Sequence, residues 1–430
     1  MPDGILNRDG RTDMSNPAAE KAILLTDDDS SDTAIRAFRI EIPQAEIDDL
    51  RFRLRRTRWP RELSGAGWKR GVPLGYLIEL AEYWRTSYDW REHEAGINRF
   101  PQYTTLIDGA PMHFLHVRAT APDAIPLMLI HGWPGSLVEF LDTIGPLTDP
   151  PADASKRSQA FHLVIPSLPG HGFSGPLTAP DWTHGRIAKA FTELMAQLGY
   201  ERYGVQGGDA GAIIAPEMAR LDPTHVIGVH VNALVTSPCG DPAEMAGLTV
   251  AEQERMARHQ RFREDMAAYL HIQSTRPQTL AYGLTDSPTG QLAWIVEKFK
   301  EWSDPATRFA EDIAHTDRIL TNVSLYWFTR TAGSSANRYY EALHDPAARA
   351  PKARSPVPTG VLVSQTQDVT IRRFAERDHN VVHWSEFDRG GHFFALEQPE
   401  QFAADVREFF ANLSCVIQRA GGVADPNSPP

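Results

Sequence analysis

Apolar residues follow two rhythms along this chain, and the change from one to the other sorts it into regions. Phe38-Arg39-Ile40-Glu41-Ile42 alternates with period two and predicts a strand, ended by Pro43. In "QAEIDDLRFRLRRTRW", Ile47, Leu50 and Leu54 recur at helical spacing. A second helical piece, "PLGYLIELAEYWRTSYDWREHEAGINRF", is rich in Tyr and Trp, which are expected to pack against another surface. From residue 103 short apolar runs alternate with helical stretches. "YTTLI" and "MHFLHV" make a hairpin through Asp108-Gly109, and "PLMLI", "FHLVIP", "RYGVQ", "VIGVHV", "GVLVS" and "VVHWSEF" predict further strands. Apolar strands of that length, separated by helices, predict an α/β fold whose mostly parallel sheet is covered on both faces. Over a hundred residues of mainly helical pattern divide "VIGVHV" from "GVLVS". That is too long for a loop, so a helical cap is expected there.

Composition narrows the function classes. The 430 residues are 42% hydrophobic and 23% charged, ordinary values for a globular protein. A net charge of -12 with no basic block argues against a nucleic-acid partner and serves solubility. Cys239 and Cys415 lie far apart without metal-ligand spacing, as in a reducing compartment. No apolar run reaches the ~20 residues that span a bilayer, and no signal-peptide core opens the chain. A cytoplasmic protein without a membrane partner is the expectation. Residues 1–35 read as a disordered leader and 418–430, which includes "AGGVADPNSPP", as a flexible tail.

Three motifs carry chemistry, each after a strand. "HGWPGS" (His131 to Ser136) follows "PLMLI", "GGDAG" follows "RYGVQ", and "RGGHFFALEQP", with His392, follows "VVHWSEF". Any one of them reads as a turn. Together, with the nucleophile candidate Asp209 ahead of the histidine, they indicate the α/β-hydrolase arrangement. The elbow position that usually holds a serine holds Asp209. A carboxylate attacking an ester would give an unproductive anhydride, so Asp209 points to displacement at an sp³ carbon and an alkyl ester on the enzyme. With a reference pKa of ~3.9 such a group is ionised without a base. His392 is then available to deprotonate a water that attacks the ester. The backbone N–H groups of Trp133 and Ala210 are the expected oxyanion hole.

The chain resembles the microsomal-type epoxide hydrolases over roughly residues 36–415. The resemblance rests on "FRIEIP…DDLRFRL…TRWP", "YDWREHEAGIN", "IDGAPMHFLHV", "IHGWPGS", "SLPGHGFSGP" and "GGDAG". Towards the C-terminus it continues in "YLHIQSTRPQTLAYGLTDSP", "YW…SS…RYYE" and "DRGGHFFALEQP". It implies a meander over 36–102, core segments over 103–236 and 351–417, and a cap over 237–350. It does not extend to the N-terminal membrane anchor, so the chain is similar to soluble bacterial and fungal members. Two cap tyrosines that donate to the epoxide oxygen fall by motif on Tyr269 in "AAYLHIQ" and Tyr339 in "NRYYE"; spacing selects Tyr339 over Tyr340. The acid partner of His392 falls on Asp368. There the family's Phe-Pro-x-Asp/Glu is replaced by Ser364-Gln365-Thr366-Gln367-Asp368, with one extra residue. Ala210 stands where many relatives carry Trp, which implies a roomier pocket for bulky or aryl epoxides.

The implied reaction turns an epoxide and water into a vicinal diol, in detoxification or natural-product biosynthesis, with no cofactor and no metal. The alternatives are a dehalogenase acting on carbon–halogen bonds and an inactive binding protein of the same fold. The paired tyrosines favour the epoxide, and Ala210 counts against a halide site. His116 and His383 lie in strand patterns and are expected to be structural. Neither a monomer nor a homodimer is singled out.

Overall fold

The computed structural model describes residues 33–150, 159–177, 179–307, 313–350 and 352–420; most of the proposed leader and tail lies outside them. Its strands are β1 (Arg36–Phe38), β2 (Gln102–Ile107), β3 (Ala110–Val117), β4 (Ile125–Ile130), β5 (Phe161–Pro166), β6 (Tyr203–Gly208), β7 (Val226–Asn232), β8 (Pro358–Ser364) and β9 (Asn380–Phe387). They form one sheet in the order β1-β2-β3-β5-β4-β6-β7-β8-β9. The edge through β3 is antiparallel, and β5-β4-β6-β7-β8-β9 is parallel. Asp108 (φ 52°) and Gly109 (φ 75°) both take the left-handed conformation that closes a two-residue hairpin between β2 and β3.

The central strands read as continuous apolar runs because both faces are covered. On β4, Leu127 and Leu129 enter one cluster with Phe402, Val406 and Phe410 of a long C-terminal helix. The alternate residues Met128 and Ile130 enter the opposite cluster. Its helical partners are Ile187, Phe191 and Leu194 on one helix and Ile214 and Met218 on another. Helices of seven or more residues are numbered in chain order. These are α1 (Gln44–Arg55), α2 (Leu74–Thr86), α3 (Trp90–Ile97), α4 (His184–Gln197), α5 (Gly211–Leu221) and α6 (Val250–Arg261). There follow α7 (Ala268–Thr275), α8 (Pro277–Asp286), α9 (Pro288–Trp302), α10 (Ile313–Phe328), α11 (Ala332–His344), α12 (Arg372–Asp378) and α13 (Pro399–Ala420).

Helices α6 to α11 fill the interval between β7 and β8. The N-terminal aromatics fasten onto α10: Trp84 Nε1 donates to Ser324 Oγ at 2.9 Å, and the Tyr88 hydroxyl donates to Thr321 Oγ1 at 3.0 Å. The first strand departs from the alternation that predicts it. It ends at Phe38, and the buried Ile40 and Ile42 lie beyond it. Their N–H groups donate to Asn98 Oδ1 at 3.0 Å and Glu94 Oε1 at 2.7 Å, so side chains take the place of a neighbouring strand. Among the described residues no helix is long and apolar enough to cross a membrane.

Candidate active site

The turn from β6 into α5 holds Asp209 in the left-handed region, φ 53°, where a side chain is strained by about 1 kcal/mol or more. Close packing imposes that turn. A Cβ on Gly207 would lie 2.2 Å from the Gly211 carbonyl oxygen, and one on Gly211 would lie 2.2 Å from the Ile130 oxygen. Only backbone without side chains can cross there, which explains the glycines on either side of the carboxylate.

Asp209 Oδ1 accepts the Trp133 N–H at 3.0 Å. The Ala210 N–H, at the start of α5, makes no hydrogen bond among the described residues. The loop that presents Trp133 is pinned by His131. Its Nε2 accepts the Leu168 N–H at 3.0 Å, which leaves Nδ1 to donate to the Gly132 carbonyl at 2.9 Å. Burial keeps that imidazole neutral, with its pKa pressed down to about 4. Next to it, Gly132 lies so close to Asp209 that an added Cβ would meet Oδ1 at 2.2 Å.

His392 Nε2 lies 3.6 Å from Asp209 Oδ2, an ion-pair distance too long for a hydrogen bond. Its backbone N–H donates to the Trp302 carbonyl at 2.8 Å, and its own carbonyl accepts from Asn232 Nδ2 at 3.3 Å. The ring packs 5.0 Å from both Trp302 and Phe393. Burial lowers the imidazole pKa, and the Asp209 charge opposes that shift.

Tyr269 on α7 and Tyr339 on α11 are both buried, with ring centroids 5.9 Å apart at 83° and a hydrogen bond between them. Trp133 is stacked on Tyr269 at 5.1 Å and meets Tyr339 edge-on at 5.8 Å. Burial raises the pKa of both phenols, and the Asp209 charge raises it further, so both keep their protons at neutral pH. Tyr340 points elsewhere: it is 38% exposed and stacks on His344.

Asp368 is not joined to His392. It lies after β8 as expected, but no hydrogen bond or ion pair links the two. Its Oδ2 accepts the Ser364 N–H at 2.8 Å, and its own N–H donates to the Ser364 carbonyl at 2.9 Å. The Ala233 backbone also bonds the carboxyl. The residues from Ser364 to Asp368 therefore close on themselves and turn the carboxylate back onto its own strand. Burial raises its pKa to about 7.

Two ionisable groups at the site escape a reading by motif. Arg338, next to Tyr339, is buried with Nη2 3.9 Å from Asp209 Oδ1. Glu139, in the turn after Ser136, has a carboxyl pushed well above the usual range, by burial and then by the Asp209 charge. The signal for Arg338 was its place beside a catalytic-type tyrosine; nothing in the local pattern marked Glu139. His116 and His383 have structural partners, Tyr200 and Asp405, each at 2.8 Å. Among the described residues no His, Cys, Asp and Glu cluster could hold a metal ion. A groove of about 900 Å³ between α1 and the start of α9 includes none of these site residues.

The family described as "Epoxide hydrolase N terminus" matches residues 35–140, and "alpha/beta hydrolase fold" matches 125–291. A Stigmatella aurantiaca (strain DW4/3-1) protein named "Putative epoxide hydrolase" is 44% identical over 88% of this chain and 85% of its own. "Epoxide hydrolase 1" of Sus scrofa is 34% identical over 89% of this chain and 90% of its own. The crystal structure of juvenile hormone epoxide hydrolase from Bombyx mori superposes with a TM-score of 0.82 at 32% identity, covering 90% of this chain and 96% of that one.

Proposed function

The chain belongs to the epoxide hydrolase family, on the α/β-hydrolase fold, and from that premise we propose that it opens an aryl epoxide to a vicinal diol through an alkyl ester on Asp209. Asp209 Oδ2 attacks an oxirane carbon and the C–O bond at that carbon breaks. Its electron pair passes to the ring oxygen, which takes a proton from Tyr269 or Tyr339. His392 Nε2 then accepts a proton from water as the water oxygen adds to Cγ of the ester. The tetrahedral oxyanion develops on Oδ1, beside the Trp133 N–H that already bonds it and the unoccupied Ala210 N–H. Collapse breaks the Cγ–Oδ2 bond, the diol leaves with Oδ2 and the proton held by His392, and the remaining water proton, now on the Asp209 carboxyl, passes to the tyrosinate and restores both groups.

The observation that carries this reading is the pair of buried, protonated phenols facing an ionisable carboxylate. A carboxylate nucleophile needs no general base, but an alkoxide leaving group needs a donor, and a phenol supplies one while neutral. A carbon–halogen bond leaves without a proton and would have no use for two such donors. Trp133, Trp302 and the small Ala210 support an aryl substituent on the substrate. His392 is positioned by Trp302, Asn232 and Phe393, and Asp368 acts no closer than through the β8 loop.

The test is a panel of styrene oxide, small aliphatic epoxides and chloroalkanes. Diol from styrene oxide, lost in Asp209→Asn, supports the proposal. Halide release from chloroalkanes without diol from any epoxide would favour the dehalogenase reading, and preference for small aliphatic epoxides would defeat the aryl assignment.

A further inference from the structure

Arg338 holds a buried guanidinium that the reaction above does not use. The residue is only 6% exposed. Nη1 contacts His184 Nε2 at 3.0 Å. Burial presses the His184 pKa down to about 3, with the Arg338 charge contributing, so the imidazole is neutral and Nε2 can accept. The face of the guanidinium lies 4.5 Å from the Tyr339 ring centroid. The group is thus fixed on one edge and on one face. The Tyr339 hydroxyl also interacts with the guanidinium, which opposes the burial-driven rise in the phenol pKa, but neither Nε nor Nη2 on the remaining edge has an acceptor at hydrogen-bond distance although both atoms are buried. Asp209 Oδ1, 3.9 Å from Nη2, is too far to serve as one.

Buried donors left without acceptors are strongly unfavourable, and a guanidinium more so than an amide. Nε and Nη2 form the side edge of the fork, whose parallel N–H bonds match the two oxygens of one carboxylate. The free edge lies beside the nucleophile, so an acceptor there belongs to the molecule being attacked. We propose that Arg338 is a carboxylate-binding subsite and a specificity determinant, and that the preferred substrate carries a carboxylate on the oxirane or one carbon from it. This rests on the epoxide hydrolase reading and names the substrate class within it. An aryl glycidate has both features: the ring packs among Trp133 and Trp302 while its carboxylate takes the fork.

The experiment compares phenylglycidate with phenylglycidamide, in the unaltered enzyme, Arg338→Met and Arg338→Lys. The ratio of kcat/KM for acid over amide is expected to be about a hundredfold in the unaltered enzyme. It should fall to unity or below in Arg338→Met and recover in part in Arg338→Lys, which restores the charge but not the fork. A ratio near unity in the unaltered enzyme, or one that Arg338→Met leaves intact, overturns the proposal. Calorimetric binding of cinnamate against cinnamamide supplies a readout independent of turnover. Tighter cinnamate binding that depends on Arg338, with no diol from any epoxide, would sink the epoxide hydrolase reading and keep the subsite. Equal binding of acid and amide would sink the subsite.

Discussion

Replacing Gly132 by Ala tests whether Asp209 works from the position described. The added methyl carbon would lie 2.2 Å from Asp209 Oδ1, 2.3 Å from its Cβ and 2.6 Å from its Cγ. Ordinary contacts begin at 3.4 Å, so the carboxylate and the loop must separate by roughly 1 Å. Either partner that moves loses the 3.0 Å bond from Trp133 N–H, because that amide follows Gly132 in the chain. A displacement of that size at a reacting group costs about 10²-fold in rate, and overpacking of this kind costs about 1–3 kcal/mol in stability. Enzyme in excess over styrene oxide, followed by intact mass and by intrinsic tryptophan fluorescence, to which Trp133 and Trp302 at the site contribute, reads the alkylation step alone. The expected result is an alkylation rate lowered by about 10²-fold in a folded protein. An alkylation rate within about threefold of the parent would refute the reasoning, since a misplaced nucleophile cannot retain it.

The remaining expectations concern the other groups at the site. Tyr269→Phe and Tyr339→Phe should each slow alkylation by about 10- to 10²-fold, and together by about 10³-fold or more, while dealkylation of preformed ester changes little; equal slowing of both steps would speak for a packing role instead. Burial places the His392 pKa below 6.5, so the base is neutral and competent above that value and is lost as pH falls through it. The acid limb of dealkylation should therefore lie below 6.5, and a limb above it would contradict the burial argument. Asp368→Asn should slow dealkylation by less than about tenfold, because the carboxyl bonds Ser364 and Ala233 rather than the imidazole. A loss near 10⁴-fold, as for a carboxylate that directly orients a catalytic histidine, would restore the paired assignment.

Much of the architecture was legible in the order of strands because β4 to β8 are buried on both faces and leave uninterrupted apolar runs. The elbow was legible for a related reason. Gly207 and Gly211 sit where no side chain fits, and such positions leave a mark in any sequence that makes the turn. Alternation alone misled at Ile40 and Ile42: their side chains are buried as a strand's would be, but Asn98 and Glu94 supply their hydrogen bonds from far along the chain. Asp368 was placed on its loop, yet the direction of its carboxylate depends on how five residues after β8 close on one another, which spacing does not encode. The sequence marks Arg338 only as a neighbour of Tyr339; its meaning as a binding group comes from His184, 154 residues away, occupying one edge and leaving the other without an acceptor.

The central claim is that the carboxylate of Asp209 becomes esterified and donates an oxygen to the product. Single-turnover reaction in heavy-oxygen water, with enzyme in excess, measures this directly. The account predicts an unlabelled first diol and heavy oxygen in the Asp209 side chain, read by mass spectrometry of the peptide containing it. Heavy oxygen in the first diol with none in Asp209 would mean that water attacks the epoxide itself, and the mechanism proposed for this site would be wrong.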